Sequence, residues 1–273
     1  MNLRGAGRLA RRHQTTNARK VALVTGAGKR LGRAIALAMA DQGWDIVVHY
    51  RHSEDDADLT VLDIESRGRR ALALQCDLSD EAAVRALLPR AAGFGRVSCV
   101  VNNAALFEED GADDFSTARL DAHMHANLAA PVLLAQALHA ITPEDEQSVV
   151  INLLDQKLHN LNPDFLSYTL SKAALETATT MLAQALAPRV RVVGVAPGIT
   201  LQSGDQTPEA FAKAHRVTPL GRSSLPDDVA AAVCYLAQAG AVTGTTLLVD
   251  GGQLLMPLPR DVMFLATCMW PFS

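Results

Sequence analysis

The sequence predicts an α/β protein in which a seven-stranded parallel sheet is covered by helices on both faces, a doubly wound arrangement. Three observations lead to this prediction. Short apolar runs rich in β-branched residues alternate with helical patterns from residue 20 onward. The 273 residues are 49% hydrophobic and 20% charged, as in a soluble globular protein with a full core. No internal repeat or linker interrupts residues 20–253, which are therefore predicted to form one domain.

The alternation places strands and helices in order along the chain. The predicted strands are Lys20–Thr25, Asp45–Tyr50, Ala71–Gln75, Val97–Asn102, Ser148–Leu154, Arg191–Ala196 and Thr245–Val249. The predicted helices include one ending at Ala40 and those at Ser79–Leu88, Thr117–Ala140, Asp164–Ala187 and Pro226–Ala239. Residues 199–222 are predicted to be an irregular loop. Ligands of such sheets bind at the carboxyl ends of the strands, so the site is expected at that edge.

The two ends of the chain differ from the rest. Residues 1–19 form a basic leader without acidic residues, which we interpret as disordered; an organelle transit peptide is the alternative. Residues 254–273 form an apolar tail. A free apolar tail would promote aggregation, so we expect it to be buried at a subunit interface or against its own subunit.

Composition also excludes several classes of function. A net charge of −4 gives no argument for a nucleic-acid partner. No apolar run reaches the roughly 18 residues of a membrane span, so no membrane association is expected. Four scattered cysteines lack the spacing of a metal site or a disulfide framework. They are typical of reduced thiols in a cytoplasmic protein, and no metal is predicted.

A glycine-rich turn, TGAGKRLG, follows the first strand at residues 25–32. Glycine lets the backbone approach a pyrophosphate closely, and the N-terminus of the following helix supplies free N–H groups. The position between a strand and a helix is typical of a dinucleotide site. The predicted cofactor contacts in this turn are Gly26, Lys29, Arg30, Leu31 and Gly32.

The second strand ends in a basic cluster. A site that prefers NAD would have Asp or Glu there to bind the ribose 2′-hydroxyl. This chain instead reads His49-Tyr50-Arg51-His52-Ser53. Cations at this point favour a 2′-phosphate, which predicts NADPH or NADP as the cofactor. Tyr50, Arg51, His52 and Ser53 are the predicted contacts; an ordinary solvated basic loop is the alternative.

Tyr168 and Lys172 are four residues apart in a predicted helix and so share one face. A phenol has a pKa of about 10, and a nearby ammonium lowers it towards that of a usable general acid. Asp155, at the end of the fifth predicted strand, could join this pair. The alternative is a surface lysine beside a half-buried tyrosine.

These motifs together resemble the short-chain dehydrogenase/reductase family, over roughly residues 19–253. The matching features are TGAGKRLG, the NNAA motif at residues 102–105, Asn127, Tyr168-x-x-x-Lys172 and Pro197-Gly198. The resemblance implies a Rossmann fold, a homotetramer, and Tyr168 as general acid. It implies that Lys172 binds the nicotinamide ribose and lowers the tyrosine pKa, and that Asn127 supports a proton-relay water. Further cofactor contacts implied by it are Asp77, Leu78, Asn103, Ala104, Ala105, Pro197 and Gly198.

Asp155 departs from the family pattern, which normally has a serine thirteen residues before the tyrosine. A carboxylate suits a substrate with N–H groups or a proton relay to a ring nitrogen. Together with Arg30 in TGAGKRLG and His49-Tyr50-Arg51-His52-Ser53 after the second strand, this substitution looks like the pteridine reductase branch, which includes dihydromonapterin reductases. In that branch Arg30, Phe107, Asp155 and Tyr168 would contact substrate, with Phe107 stacked on the pterin; Phe107 as a core residue is the alternative. Ala105, in place of a serine common in relatives, removes one hydroxyl near the site.

The sequence therefore predicts an NADPH-dependent reductase of a C=N bond in a pterin-like substrate, a dihydropterin or dihydrofolate. Tyr168 and Asp155 would supply the proton. Two alternatives remain open: an NADP-dependent carbonyl reductase or alcohol dehydrogenase of the same family, and a non-catalytic dinucleotide-binding protein.

Overall fold

A sheet of seven parallel strands forms the centre of the structure, a computed structural model that describes residues 19–202 and 206–264. The strands lie in the order β3-β2-β1-β4-β5-β6-β7. They are β1 (Val21–Val24), β2 (Asp45–Tyr50), β3 (Ala71–Gln75), β4 (Val97–Asn102), β5 (Ser148–Leu153), β6 (Val190–Pro197) and β7 (Thr246–Val249). The order reverses between β1 and β4, which opens a crevice at the carboxyl edge where ligands of such sheets bind.

Helices cover both faces of this sheet. One face carries α1 (Arg30–Asp41), α2 (Glu54–Ser66) and α8 (Pro226–Gln238). The other carries α3 (Glu81–Ala91), α5 (Ala130–Ile141) and α6 (Leu166–Leu186). Two further helices, α4 (Thr117–Met124) and α7 (Pro208–Arg216), lie near the carboxyl edge of the sheet. Short 3-10 turns occupy Gln156–His159, Gln253–Leu255 and Val262–Phe264.

The central strands are apolar throughout because both of their faces are buried. In β1, Ala22 and Val24 pack towards one helical layer, and Val21 and Leu23 pack towards the other; all four are fully buried. This double burial explains why the strands read as continuous apolar runs. The predicted fold class, a doubly wound parallel sheet of seven strands, is confirmed.

Two predicted elements need correction. The helix predicted over Thr117–Ala140 is divided by a π-helical turn at His125–Ala129, which separates α4 from α5. The segment 199–222, predicted to be an irregular loop, contains α7. Pro208 stands in the first turn of α7, and the Thr207 hydroxyl accepts a hydrogen bond from the Ala210 amide. A short helix with ordinary capping was therefore hidden in a polar segment.

The ends of the chain are described only in part. Residues 1–18 of the predicted leader lie outside the described residues, and so do residues 265–273 of the apolar tail. Residues 256–264, which we call the C-terminal strap, return across the carboxyl edge of the sheet. Leu258 and Val262 of the strap pack against Ala214 of α7 in their own subunit. The expectation that the tail also contacts another subunit stays a prediction.

Candidate active site

The glycine turn brings β1, α1 and the end of β4 into close contact. Gly26 has a φ of +64°, in the left-handed region that favours glycine. A Cβ on Gly32 would lie 2.1 Å from the Gly26 carbonyl oxygen, so only glycine fits there. The side-chain amide of Asn103 donates to the Thr25 carbonyl at 2.9 Å and so connects the NNAA motif to this turn. The predicted motifs therefore meet at one edge of the sheet.

His49 stabilises the glycine turn through its ring, a role that the sequence does not predict. The Gly26 amide donates to His49 Nδ1 at 3.0 Å, and His49 Nε2 contacts the Cys76 carbonyl at 3.1 Å. This pattern requires a neutral ring whose proton lies on Nε2. Burial lowers the pKa of His49 from its ordinary value to about 4. His49 was read as part of the basic cluster; it is instead an uncharged residue of the core.

Arg51 remains the cation at the end of β2. Its guanidinium lies 53% exposed and pairs with the Asp77 carboxylate, at 3.0 Å from Nε and 2.9 Å from Nη2. The Ser79 amide and hydroxyl hold the other oxygen of Asp77. Burial raises the pKa of Asp77, but the Ser79 bonds and Arg51 outweigh it, so the pKa lies below its ordinary value. Two predicted cofactor residues, one for the 2′-phosphate and one for the adenine, therefore lie side by side.

The other residues predicted around this cofactor end lie near Arg51. Tyr50 Oη donates to the Glu54 carboxylate at 3.2 Å, and Lys29 Nζ lies 3.8 Å from Asp56. His52 is exposed, Ser53 immediately precedes α2, and Leu78 packs against the apolar layer that includes α3. The basic surface predicted from the sequence is therefore present, partly neutralised by the first turn of α2.

A cavity of about 460 Å³ opens at the carboxyl edge of the sheet and collects the other predicted site residues. Those that line it are Arg30, Leu31, Asn103, Ala105, Phe107, Asp155, Tyr168, Lys172, Pro197 and Gly198. Gly26 and Gly32 of the glycine turn lie beside it, and Ala104 of the NNAA motif approaches Gly26. The cavity and the Arg51 region are the places predicted for the two ends of the dinucleotide.

Asp155 and Tyr168 are joined directly in this cavity. Asp155 follows β5 and caps the 3-10 turn Gln156–His159, where its Oδ1 accepts from the Lys157 amide at 2.8 Å. The Tyr168 hydroxyl donates to Asp155 Oδ2 at 3.0 Å. The thirteen-residue spacing seen in the sequence therefore places the Asp155 carboxylate within hydrogen-bond distance of the Tyr168 hydroxyl. Few other groups could exchange a proton with that hydroxyl so directly.

The ionisation of this pair corrects one prediction. Lys172 was expected to lower the pKa of Tyr168, but burial and the adjoining Asp155 carboxylate raise it well above its ordinary value. Burial likewise raises the pKa of Asp155, with a further contribution from Asp261. At neutral pH the phenol therefore keeps its proton, and the carboxyl group holds a proton at higher pH than an ordinary aspartate.

Lys172 is buried beside the Tyr168 ring and is bonded to the backbone of β5. Its ammonium donates to the Leu153 carbonyl at 2.7 Å and lies 5.8 Å from the centre of the Tyr168 ring. Burial lowers the pKa of Lys172 to about 8, although Asp155 opposes this. The lysine is positioned to donate hydrogen bonds into the cavity that it lines.

Asn127 lies in the π-helical turn and is fully buried. Its amide oxygen accepts from the Leu106 amide at 2.7 Å, and its nitrogen donates to the Leu106 carbonyl and the Ser171 hydroxyl. A π-turn rotates one residue out of the regular helical register, and such turns are frequent at functional sites. Asn127 thus connects the segment after the NNAA motif to α6; its support of a relay water stays a prediction.

Phe107 lines the cavity and is 41% exposed, so it is not a core residue. One ring face stacks on Phe165 at 4.4 Å between centroids, and its edge meets Tyr168 at 4.7 Å. Phe165 has a φ of +56°, which is uncommon for a residue other than glycine. The ring needed for stacking on a substrate is therefore at the cavity, held by a second aromatic residue.

The cavity also contains Arg30, which was predicted, and a set of residues that the sequence does not identify. Arg30 adopts a φ of +53° and donates to the Gln202 carbonyl at 2.6 Å, which connects the glycine turn to the segment before α7. Lys157 and Asp261 line the cavity and form an ion pair at 2.8 Å. The other lining residues not predicted are Leu153, Leu154, Gln156, Ile199, Thr200, Leu201, Gln206, Gln253, Val262 and Met263. Most come from segments that carry no motif.

The residues present fit a phosphorylated dinucleotide. The N-terminus of α1, where no side chain caps the helix, offers backbone N–H groups, and Arg51 offers a guanidinium for a 2′-phosphate. Lys172 and Pro197-Gly198 border the place expected for the nicotinamide end, beside Tyr168. Among residues 19–202 and 206–264, no cluster of His, Cys, Asp or Glu has the form of a metal site.

Comparison with known proteins gives the same assignment. Residues 26–253 match a short-chain dehydrogenase family model described as enoyl-(acyl carrier protein) reductase. A solved structure of FolM alternative dihydrofolate reductase 1 from Brucella suis in complex with NADP is 39% identical, with a TM-score of 0.84. The match covers 90% of this chain and 98% of that one.

Two further relatives extend the comparison. The structure of FolM alternative dihydrofolate reductase 1 from Brucella canis, complexed with NADP, is 37% identical, with a TM-score of 0.81. It covers 87% of this chain and 94% of that one. The 3beta-hydroxysteroid dehydrogenase 1 of Eggerthella lenta is 37% identical over 249 residues, 87% of this chain and 95% of the relative. The family match and the nucleotide site agree: this chain belongs to the short-chain dehydrogenase/reductase family and is an NADP-dependent oxidoreductase.

Proposed function

We propose that this enzyme reduces a C=N bond of a pterin-like substrate, a dihydropterin or a dihydrofolate, with NADPH. The hydrogen bond of 3.0 Å between the Tyr168 hydroxyl and Asp155 Oδ2 is the observation on which the proposal rests. It makes a carboxyl group part of the proton-donating unit, in a buried cavity where its pKa is raised.

A carboxyl group at this position suits a nitrogen better than a carbonyl oxygen. A pterin presents an amino group and ring N–H donors, which a carboxylate can accept, and ring nitrogens that gain protons on reduction. A ketone instead develops negative charge on oxygen, which a carboxylate 3.0 Å from the phenol would oppose when ionised. The likeness to two structures titled FolM alternative dihydrofolate reductase 1 supports the same choice.

The proton and electron balance follows from the cavity. When bound, NADPH supplies a hydride, and so two electrons, to the carbon of the C=N bond. The Tyr168 hydroxyl, which donates to Asp155 Oδ2 in the structure, turns to give its proton to the nitrogen, and the neutral Asp155 carboxyl group gives a proton from Oδ2 to the tyrosine oxygen. Asp155 then regains a proton from solvent. The ordinary phenol pKa does not need to be lowered, since the phenolate is never required as a stable species.

Phe107 and Arg30 would orient the substrate. Phe107 leaves part of its ring exposed to the cavity, where a flat bicyclic ring can stack. Arg30 lines the same cavity with donor groups only, which suit the carbonyl oxygen and ring nitrogens of a pterin. Arg30 comes from the glycine turn and Phe107 lies against the Tyr168 ring, so a substrate held by both would lie beside the tyrosine.

The test is NADPH oxidation by the purified full-length chain, followed by absorbance. Separate reactions contain dihydrobiopterin, dihydrofolate, a simple diketone or no second substrate, and chromatography identifies the reduced product. The proposal requires a tetrahydropterin or tetrahydrofolate product and a kcat/KM well above that for the diketone. Reduction of the diketone alone would favour a carbonyl reductase, the activity class suggested by the Eggerthella lenta relative.

A further inference from the structure

Lys157 is a buried lysine that the proposed proton transfer does not use. Only 4% of its side chain is exposed. Its ammonium donates to Asp261 Oδ2 at 2.8 Å and to Asn162 Oδ1 at 2.5 Å, and it lies 5.4 Å from the centre of the Phe165 ring. Its backbone amide donates to Asp155 Oδ1. One residue thus contacts the catalytic carboxylate through its backbone and Asp261 through its side chain.

Asp261 belongs to the C-terminal strap, more than a hundred residues further along the chain. The strap is attached to the segment between Asp155 and Tyr168 at several points. The Asp261 amide donates to Asp164 Oδ2 at 2.7 Å, and Arg260 forms two hydrogen bonds with the same carboxylate. Asn160 bonds the strap backbone at Met256 and Leu258. The strap therefore closes the cavity against the segment that presents Asp155.

The ion pair also contributes to the charge around Asp155. The ionisable groups that face Asp155 are Tyr168 and Lys172 on α6, Asp261 on the strap, Lys157 on its own turn, and Arg30 across the cavity. The Asp261 carboxylate raises the pKa of both Asp155 and Tyr168. Lys157 neutralises Asp261 at 2.8 Å and so limits this effect.

We propose that Lys157 and Asp261 are positioning residues. Their buried ion pair ties the C-terminal strap to the turn that presents Asp155, so that closure of the cavity and the surroundings of the catalytic carboxylate depend on one contact. The inference rests on the proposed function in one respect, the participation of Asp155 in proton transfer. Neither residue is assigned a contact with the reacting atoms.

Loss of the Lys157 charge and loss of the Asp261 charge should shift the pH profile of kcat/KM in opposite directions. The active form contains neutral Asp155, so kcat/KM falls as pH rises through the pKa of that group. Lys157→Met leaves Asp261 unneutralised, which disfavours ionisation of Asp155 and moves the fall to higher pH. Asp261→Asn leaves the Lys157 ammonium unneutralised, which favours ionisation and moves the fall to lower pH. The double variant removes both charges and should return the fall to its original position.

The experiment measures kcat/KM against pH for the wild type, Lys157→Met, Asp261→Asn and the double variant. We expect shifts of about one pH unit or more, upward for Lys157→Met and downward for Asp261→Asn, and cancellation in the double variant. Arg260→Gln is the matched control, because Arg260 anchors the strap but does not line the cavity. It should change KM without moving the pH profile.

Thermal melting separates this inference from a general loss of folding. Each single variant leaves a buried charge without its partner and should melt at lower temperature, whereas the double variant should regain much of the loss. Shifts of the pH profile in the same direction, or no shift at all, would overturn the inference. If only the diketone is reduced, the proposed function fails, but the same four profiles on that substrate still test the ion pair.

Discussion

Tyr168 and Asp155 behave as one ionisable unit because their side chains share a hydrogen bond in a buried cavity. Burial disfavours both anions, and the Asp155 carboxylate further raises the pKa of Tyr168, whereas the hydrogen bond from the Tyr168 hydroxyl lowers the pKa of Asp155. A serine at residue 155 would offer a hydroxyl without this coupling. The departure from the usual family pattern at Asp155 therefore changes how the site holds its proton.

Tyr168→Phe tests the donor directly. The change removes the hydroxyl that contacts Asp155 but keeps the ring that meets Phe107. Turnover should fall by about 10²–10⁴-fold, the usual contribution of a general acid, while NADPH affinity stays nearly unchanged. Steady-state kinetics and fluorescence titration with NADPH measure the two quantities. Near-normal turnover would show that another group donates the proton.

Arg51→Asp tests the cofactor preference. The guanidinium pairs with Asp77 at the end of β2, and loss of its charge-assisted bonds to a 2′-phosphate should cost about 1–3 kcal/mol. The ratio of kcat/KM for NADPH over NADH should therefore fall by about 5- to 150-fold. The exposed Arg85, which pairs with Glu81 on α3, provides the control variant Arg85→Asp. An unchanged ratio in Arg51→Asp would place the 2′-phosphate elsewhere.

Site residues that belong to motifs could be predicted from the sequence, and site residues outside the motifs could not. Asp155, Tyr168 and Lys172 could be predicted because their spacing is fixed by one strand end and one helix. Lys157 and Asp261 could not, because their contact spans 104 residues and no local pattern encodes it. The raised pKa of Tyr168 could not be predicted from the sequence either, because it depends on burial and on the direct hydrogen bond to Asp155.

The β2 strand shows how an element supports the site. Its residues pair with β1 and β3 in parallel, and this register places His49 beneath the glycine turn. The sequence located the strand correctly, but a histidine beside arginine and tyrosine looked like part of a basic surface. Only its burial and its two backbone contacts show that the ring is neutral.

His49 should make the protein sensitive to acid. Its pKa is lowered from 6.5 to about 4, so between these values the unfolded chain binds a proton that the native state does not. The free energy of unfolding therefore rises with pH across this window, and about 3 kcal/mol is lost as pH falls through it. Urea unfolding of His49→Phe between pH 4 and pH 7 should give a flatter profile and lower stability at neutral pH.

The control for this prediction is His52→Phe, which changes an exposed histidine three residues away. It should leave the acid dependence of stability as in the wild type. If His49→Phe kept the wild-type slope, the acid sensitivity would come from other groups and the neutral His49 ring would not explain it.

The run from α4 to α5 shows what periodicity alone misses. Apolar and polar residues alternate smoothly from Thr117 to Ile141, so one helix was the natural prediction. The π-turn is set by the tertiary bonds of Asn127 to Leu106 and Ser171. Local sequence does not specify those partners. An asparagine within a predicted helix is nevertheless unfavourable, and it indicates that the helix could be irregular there.

The outer faces of two long helical segments, Thr117–Ile141 and α6, are the surfaces that we expect at the subunit contacts of the homotetramer implied by the family resemblance. On α6, Leu170 and Met181 are exposed, the latter by 63%. The helical run Thr117–Ile141 is long and apolar enough to cross a membrane by composition, with 33% of its most apolar window buried. Its contacts with the sheet and α6 favour a packed helical layer whose outer face meets another subunit.

We propose that the enzyme is a homotetramer in solution and is located in the cytoplasm. The three described cysteines are free thiols, as expected in a reducing compartment. Light scattering should give the mass of four chains, and Met181→Glu should reduce it by placing a charge in the predicted interface. Leu59→Glu on α2, an equally exposed apolar position outside the predicted interface, is the control. A wild-type monomer would contradict the assembly.

The most direct test of the proposed role of Asp155 in proton donation is to measure the steady-state kinetics of Asp155→Ser on a dihydropterin and on a small diketone. The change replaces the carboxyl group on Tyr168 with the hydroxyl that the family usually has. We expect kcat/KM for the dihydropterin to fall by at least ~10²-fold, with NADPH affinity unchanged and weak activity on the diketone gained. If Asp155→Ser reduced the dihydropterin as fast as the wild type, Asp155 would not be part of the proton-donating unit.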